Sequence, residues 1–175
     1  MTTMRPGLRK FALTAHVAFS VGWLGAVASF LALAIAALTS QDAQAVQGAY
    51  LVMELTGWFV IVPLSLASLL TGLASSLGTK WGLFRHYWVL AKLSINLFAT
   101  IVLLMYMQTL DYFAGIAAHA TLSSGDLRVL RDPSPVLHTS LALLLLIVAT
   151  VLGIYKPRGM TGYGLRKQHE RRALS

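Results

Sequence analysis

The chain has no cysteine, which excludes disulfides, thiolate metal sites, iron–sulfur clusters and thiol nucleophiles. Charge is also scarce. Only 11% of the 175 residues are charged and six are acidic, too little polar surface for a soluble globular domain. There is no serine elbow, no paired carboxylates and no phosphate-cradling glycine loop, since Gly162 and Gly164 stand in too short and isolated a stretch. Hydrolase and nucleotide-binding chemistry are therefore not expected. The methionines (Met1, Met4, Met53, Met105, Met107 and Met160) are scattered rather than clustered, which argues against a dedicated copper conduit.

What the sequence has is apolar length, with 57% of its residues hydrophobic. Four runs, 11–38, 55–77, 87–110 and 137–155, are each long enough to cross a hydrocarbon core of roughly 30 Å at about 1.5 Å of rise per residue. Lys92 is the only full charge inside any of them. The expected fold is all-α, an integral membrane four-helix bundle of up-down-up-down, antiparallel topology. It divides into a basic N-terminus (1–10), a membrane domain (11–155) with an outer loop at 111–136, and a basic tail (156–175). A signal peptide is a poor account of the first run, which is about twice the length of a normal signal core.

Eleven of the 14 Lys and Arg residues fall in the N-terminal segment, the connection holding Lys80 and Arg85, and the tail. By the positive-inside rule both termini and that connection are cytoplasmic, in the cytoplasmic (inner) membrane. The net charge of +8 then reflects topology and attraction to anionic headgroups. Nucleic acid is not an expected partner, because no basic, aromatic-studded soluble domain is present.

Local signals refine the outline. Ser40 or Asp42 can cap a helix beginning at Ala43, and Pro63 predicts a kink. The turn "LGTKWG", with Trp81, Phe84, Tyr87 and Trp88 crowded around it, reads as an interfacial aromatic belt. "DYFAGIAAHATL" can prolong the third helix, and "SSGDLRVLRDPSP" reads as turn-rich, ending with Ser134 as N-cap and Pro135 at the first helical position. The tail is expected to be flexible or to lie on headgroups, with His169 solvated.

Two polar layers emerge on this topology. His16 lies six residues after Lys10 and Lys92 six after His86, so both stand about 9 Å inside the cytoplasmic end of their helices. Helical spacing puts Trp88, Lys92 and Asn96 on one face, and His16, Ser20 and Trp23 on another. If the faces meet, they form a polar pocket, with Lys92 pairing with an anion or proton acceptor; otherwise Lys92 snorkels. His16 can serve as a buried hydrogen-bonded histidine or as a haem ligand. The opposite layer gathers Glu54, Asp111, His119 and His138, acceptable metal ligands by type but without a spacing motif.

The segment "HVAFSVGWLGAV", with His16 followed seven residues later by Trp23-Leu24-Gly25, and "YWVLAKLSINL", with Trp88 four residues before Lys92-Leu93, resemble a superfamily of small bacterial membrane proteins. It includes the CopD-type copper-resistance membrane domains, the HemJ-type protoporphyrinogen oxidases and a set of four-helix proteins of unknown function. The last group is the most similar in length and layout, over residues from about Lys10 to Pro157. The resemblance to the HemJ branch implies that His16 and Lys92 form a functional pair associated with haem b or porphyrin. The stretch "LGAVASFLAL" after Trp23 lacks the Pro-Arg-Leu-type segment of that branch.

Three functions are consistent with these features. The leading one is a non-catalytic accessory or assembly subunit of a membrane complex, with a partner subunit or a second copy docking on the small residues of the second helix and no cofactor. The second is a haem- or porphyrin-binding redox protein, an oxidoreductase if an enzyme at all. In it His16 is an axial ligand, His86 a second ligand, and Lys92 and Arg85 pair with carboxylates beside Asn96. The third is a small metal or cation transporter using Glu54, Asp111 and His138.

Overall fold

In the computed structural model, residues 4–78, 83–157 and 159–173 are described, and the side chains of His169, Arg171 and Arg172 are not. Lys80, Trp81 and Arg158, which enter the charge and belt readings above, lie outside the described residues, as do those three side chains. The elements are α1 (Pro6–Thr39), α2 (Ala43–Thr56), a π turn (Gly57–Ile61), α3 (Val62–Leu77), α4 (Tyr87–Ala117), α5 (Ser124–Leu130), α6 (Ser134–Tyr155) and α7 (Gly162–Ala173). Four stretches are long and apolar enough to cross a membrane: Pro6–Thr39, Ala43–Leu77, Tyr87–Ala117 and Ser124–Tyr155. This is compatible with a multi-pass membrane protein. Exposed positions on these helices carry Phe11, Val17, Phe59, Leu70, Met105, Leu144 and Ile154, so they are apolar all round rather than on one stripe.

The core runs along a seam of α1, where Trp23, Val27, Phe30, Ala34 and Ala37 are all buried. Their alternating spacing of four and three is the knobs-into-holes period, and alanine at the last two positions lets neighbouring backbones come close. α1 packs on α2, α3 and α6, and α4 packs on α2, α3 and α6. The four long stretches therefore close around one core.

At one end of the bundle, the far end, polar groups hold the connections in place. The Asp42 carboxylate accepts from Gln44 N–H at 3.0 Å, so Asp42 is the cap of α2, and the Ser40 hydroxyl accepts from Asp42 N–H at 3.1 Å and braces it. Buried Tyr50 donates its hydroxyl to the Leu130 carbonyl at 2.6 Å, Gln47 donates to the Ala117 carbonyl at 2.6 Å, and Arg131 to the Ser40 carbonyl at 3.0 Å.

Several expectations are corrected here. α1 starts at Pro6, five residues ahead of its apolar run, while α4 runs on to Ala117, as the stretch "DYFAGIAAHATL" suggests. The segment expected to be merely turn-rich contains α5, started by a capping box in which Ser123 and Asp126 satisfy each other's backbone N–H groups. The N-cap position of α6 is Pro133, not Ser134; the Asp132 carboxylate takes the Ser134 N–H at 2.7 Å. Near Pro63 the irregularity is a π turn, which fits a residue that has no N–H to give back to the preceding turn.

The tail, expected to be flexible or on headgroups, is a helix docked on the segment before α4. α6 ends at Lys156 in the left-handed region, with Pro157 next. The chain returns so that Met160 bridges to His86. Thr161 donates its N–H to the Arg85 carbonyl at 3.0 Å and its hydroxyl to the Phe84 carbonyl at 2.5 Å. The Thr161 hydroxyl then accepts from Gly164 N–H at 3.1 Å. On the exposed side of α7, Lys167 donates to Glu170 at 2.8 Å and holds its carboxyl below the usual carboxylate range.

A Cβ at Gly164 would stand 2.5 Å from the Arg85 carbonyl oxygen, a backbone atom that cannot swing aside. Gly164→Ala is therefore expected to release α7 while leaving the four long helices folded. Limited proteolysis should then cut between residues 157 and 173 at least about tenfold faster than in the parent chain. An unchanged cleavage rate would show that the contact does not hold α7.

Candidate functional site

Polar residues of the long apolar helices collect on four of the elements around a small cavity. It is lined by Ser20 and Trp23 of α1, Ser68 of α3, Lys92 and Asn96 of α4, and Leu146, Ala149 and Thr150 of α6. The spacing of four between Lys92 and Asn96, and of three between Ser20 and Trp23, places each pair on one face. The cavity measures about 30 Å³, room for about two water molecules among polar partners.

Ser68 links the two residues that the sequence singled out. Its carbonyl accepts from Nδ1 of His16 at 3.1 Å, and its hydroxyl shares a 2.8 Å hydrogen bond with Ser20. Because a carbonyl can only accept, Nδ1 of His16 carries the proton. The Thr71 hydroxyl is 3.4 Å from the same nitrogen and bonds the Ala67 carbonyl at 2.6 Å. The ring rests on Gly72, where a Cβ would stand 2.9 Å from Cε1. His16 thus sits in the α1–α3 interface, one residue away from the cavity wall rather than in it.

Lys92 reaches the other way, across the cavity to α6. A Cβ at Gly153 would stand 2.8 Å from its Nζ, so the ammonium lies against α6, two residues before the end of that helix. Among the described residues, no carboxylate lies within ion-pair distance of it. A cation held among Ser, Asn and Thr side chains without a counter-ion is suited to an anionic group or to ordered water. Thr150 and Gly153 were not singled out from the sequence. The signal available was a pair of small residues three apart in a stretch, 141–154, otherwise built from Leu, Ile, Val and Ala.

The remaining candidates are dispersed. His86 occupies the N-cap position of α4 with its ring 6.4 Å from that of Trp88, and Arg85 lies buried beneath the α7 segment. Neither lines the cavity. At the far end Asp111 accepts from the Trp58 indole at 2.8 Å, and the His138 ring stacks on Tyr106 at 4.3 Å between centroids. His119 and Glu54 are not drawn to them: among the described residues, no three His, Asp or Glu side chains are placed to hold one metal ion. The expected metal set of Glu54, Asp111, His119 and His138 is therefore not assembled.

His16 and Lys92 are linked through one cluster: His16 bonds the Ser68 carbonyl, Ser68 bonds Ser20, and Ser20, Ser68 and Lys92 line the cavity together. The chain matches no protein-family model, no curated protein and no solved structure.

Proposed function

We propose that the chain is a multi-pass protein of the cytoplasmic membrane and serves as a non-catalytic accessory or assembly subunit of a membrane complex. Its helices run up-down-up-down with both termini cytoplasmic. The opposed numbering of neighbours supports this: His16 meets Gly72 and Gly22 meets Leu64, while the basic residues collect at the end holding both termini. The observation that carries the subunit reading is the Ser20–Ser68–His16 cluster, whose polar groups are engaged in joining helices. Hydrogen bonds of this kind tie membrane helices together in the absence of a hydrophobic drive between them.

The uncompensated Lys92 gives the reading its specificity. A carboxylate or phosphate on a partner subunit, entering beside Asn96 and Thr150, would supply the missing counter-charge. Tagged protein extracted in a mild detergent and weighed by native mass spectrometry should carry a second membrane polypeptide, lost or weakened in Lys92→Gln. A monodisperse chain with no partner overturns the reading. A Soret band in the same preparation would replace it with the haem-binding alternative.

A further inference from the structure

A second and larger cavity lies nearer the far end, in the gap between α1, α4 and α6. It measures about 190 Å³. Its inner wall is Trp23, Val27 and Phe30, all at most 5% exposed, and its rim includes Phe98 and Leu141, each more than half exposed. The space thus runs from the core to the outer surface of the bundle, which in a bilayer faces hydrocarbon. For scale, an apolar cavity of about 150 Å³ accommodates a benzene ring.

The lining is apolar except at one end, where Tyr106, Thr139 and His138 stand. Thr139 returns its hydroxyl to the Pro135 carbonyl at 2.6 Å. Nδ1 of His138 lies 2.9 Å from the Ser134 carbonyl. That carbonyl can only accept, so Nδ1 donates to it, and in the tautomer this selects Nε2 is the acceptor. The stacked Tyr106 ring fixes the imidazole plane. The result is a ring-sized apolar slot, open to lipid, with the His138 imidazole at its polar end in the second turn of α6.

We propose that this slot binds a quinol, a hydroxylated six-membered ring on an apolar tail, with the quinol hydroxyl donating to Nε2 of His138. A phospholipid acyl chain could fill the slot, but the chain and its ester oxygens bring no donor to Nε2, and a headgroup donor reaching it instead is an outcome the test separates. The quinone form has no hydroxyl, so the site discriminates between the two redox forms of one molecule. No electron transfer is implied, and the site goes beyond the subunit reading because it needs no partner.

The test is anaerobic titration calorimetry of the full chain in detergent with a decyl-tailed benzoquinol and the matching benzoquinone. Saturable binding of the quinol is expected, about tenfold tighter than the quinone, the effect of one hydrogen bond. His138→Leu, at an exposed position, should erase that difference, and Ala142→Phe, which fills the slot, should abolish binding of both forms. Should Ala142→Phe fail to fold, the His138→Leu comparison still decides. Unsaturable uptake, equal affinity for the two forms, or a preference that survives His138→Leu would overturn the proposal. So would co-purified phospholipid that the quinol cannot displace.

Discussion

Lys92→Met is expected to stabilise the bundle, by about 1–3 kcal/mol in a reversible unfolding measurement in detergent or bicelles. An ammonium costs roughly 2.5–3.5 kcal/mol at a helix centre on insertion scales and less toward the ends, and Lys92 lies five residues into α4. Here no carboxylate among the described residues offsets that cost, and the end of the stem is laid against Gly153. Methionine keeps the length and flexibility of the stem and removes the charge. If the variant is instead destabilised, the ammonium has an anionic partner in the isolated protein, and the subunit reading loses its vacant counter-charge. A stabilised variant that no longer captures its partner would show stability given up for binding.

Gly72→Val should act in the opposite direction, with a loss of about 2–3 kcal/mol. The added Cβ alone would lie 2.9 Å from Cε1 and 3.2 Å from Nδ1 of His16, and the imidazole cannot retreat without giving up its bond to the Ser68 carbonyl. A branched side chain adds two more carbons to a space that does not admit the first. The diagnostic is the double variant. His16→Ala removes the obstructing ring, so Gly72→Val made on that background should cost at least about 1 kcal/mol less. Equal penalties on the two backgrounds would mean that the clash is with something other than His16.

These expectations rest on features that the sequence exposed to different degrees. The four apolar runs were legible because length and composition suffice to mark a spanning helix. The pairings Lys92 with Asn96, and Ser20 with Trp23, were legible from spacing within one helix, and each pair lines the same cavity. Which helix each face meets was not. A helix that is apolar all round carries no stripe to say which side faces inward, so the role of Ser68 as the link and of Gly153 as the floor beneath Lys92 emerges only from packing. The same limit applies to His16, which meets Ser68 beside Ser20 but whose ring turns to α3 rather than into the cavity. In the tail, the basic composition was plain and the docking was not, because it depends on Thr161 and Gly164 meeting backbone atoms of Phe84 and Arg85.

The π turn has a consequence for the whole second stretch. From α2 through α3 its inward positions are Val46, Tyr50, Met53, Gly57, Ile61, Ser65 and Ser68, all buried. Between Met53 and Ser65 the spacing is four, four and four, more than three turns of an ideal helix can contain. The wider turn absorbs the surplus, about one residue or 100° of phase, so Tyr50 and Ser68 stay on the same side of the rod. Deleting one residue between Gly57 and Ile61 would restore a regular helix and twist its two halves out of phase. Tyr50 could then keep the Leu130 carbonyl only if Ser68 lost Ser20 and His16. The wide turn acts as a phase adjuster between two ends of the molecule, and its length in residues sets whether the far-end connections and the polar cluster can be satisfied together.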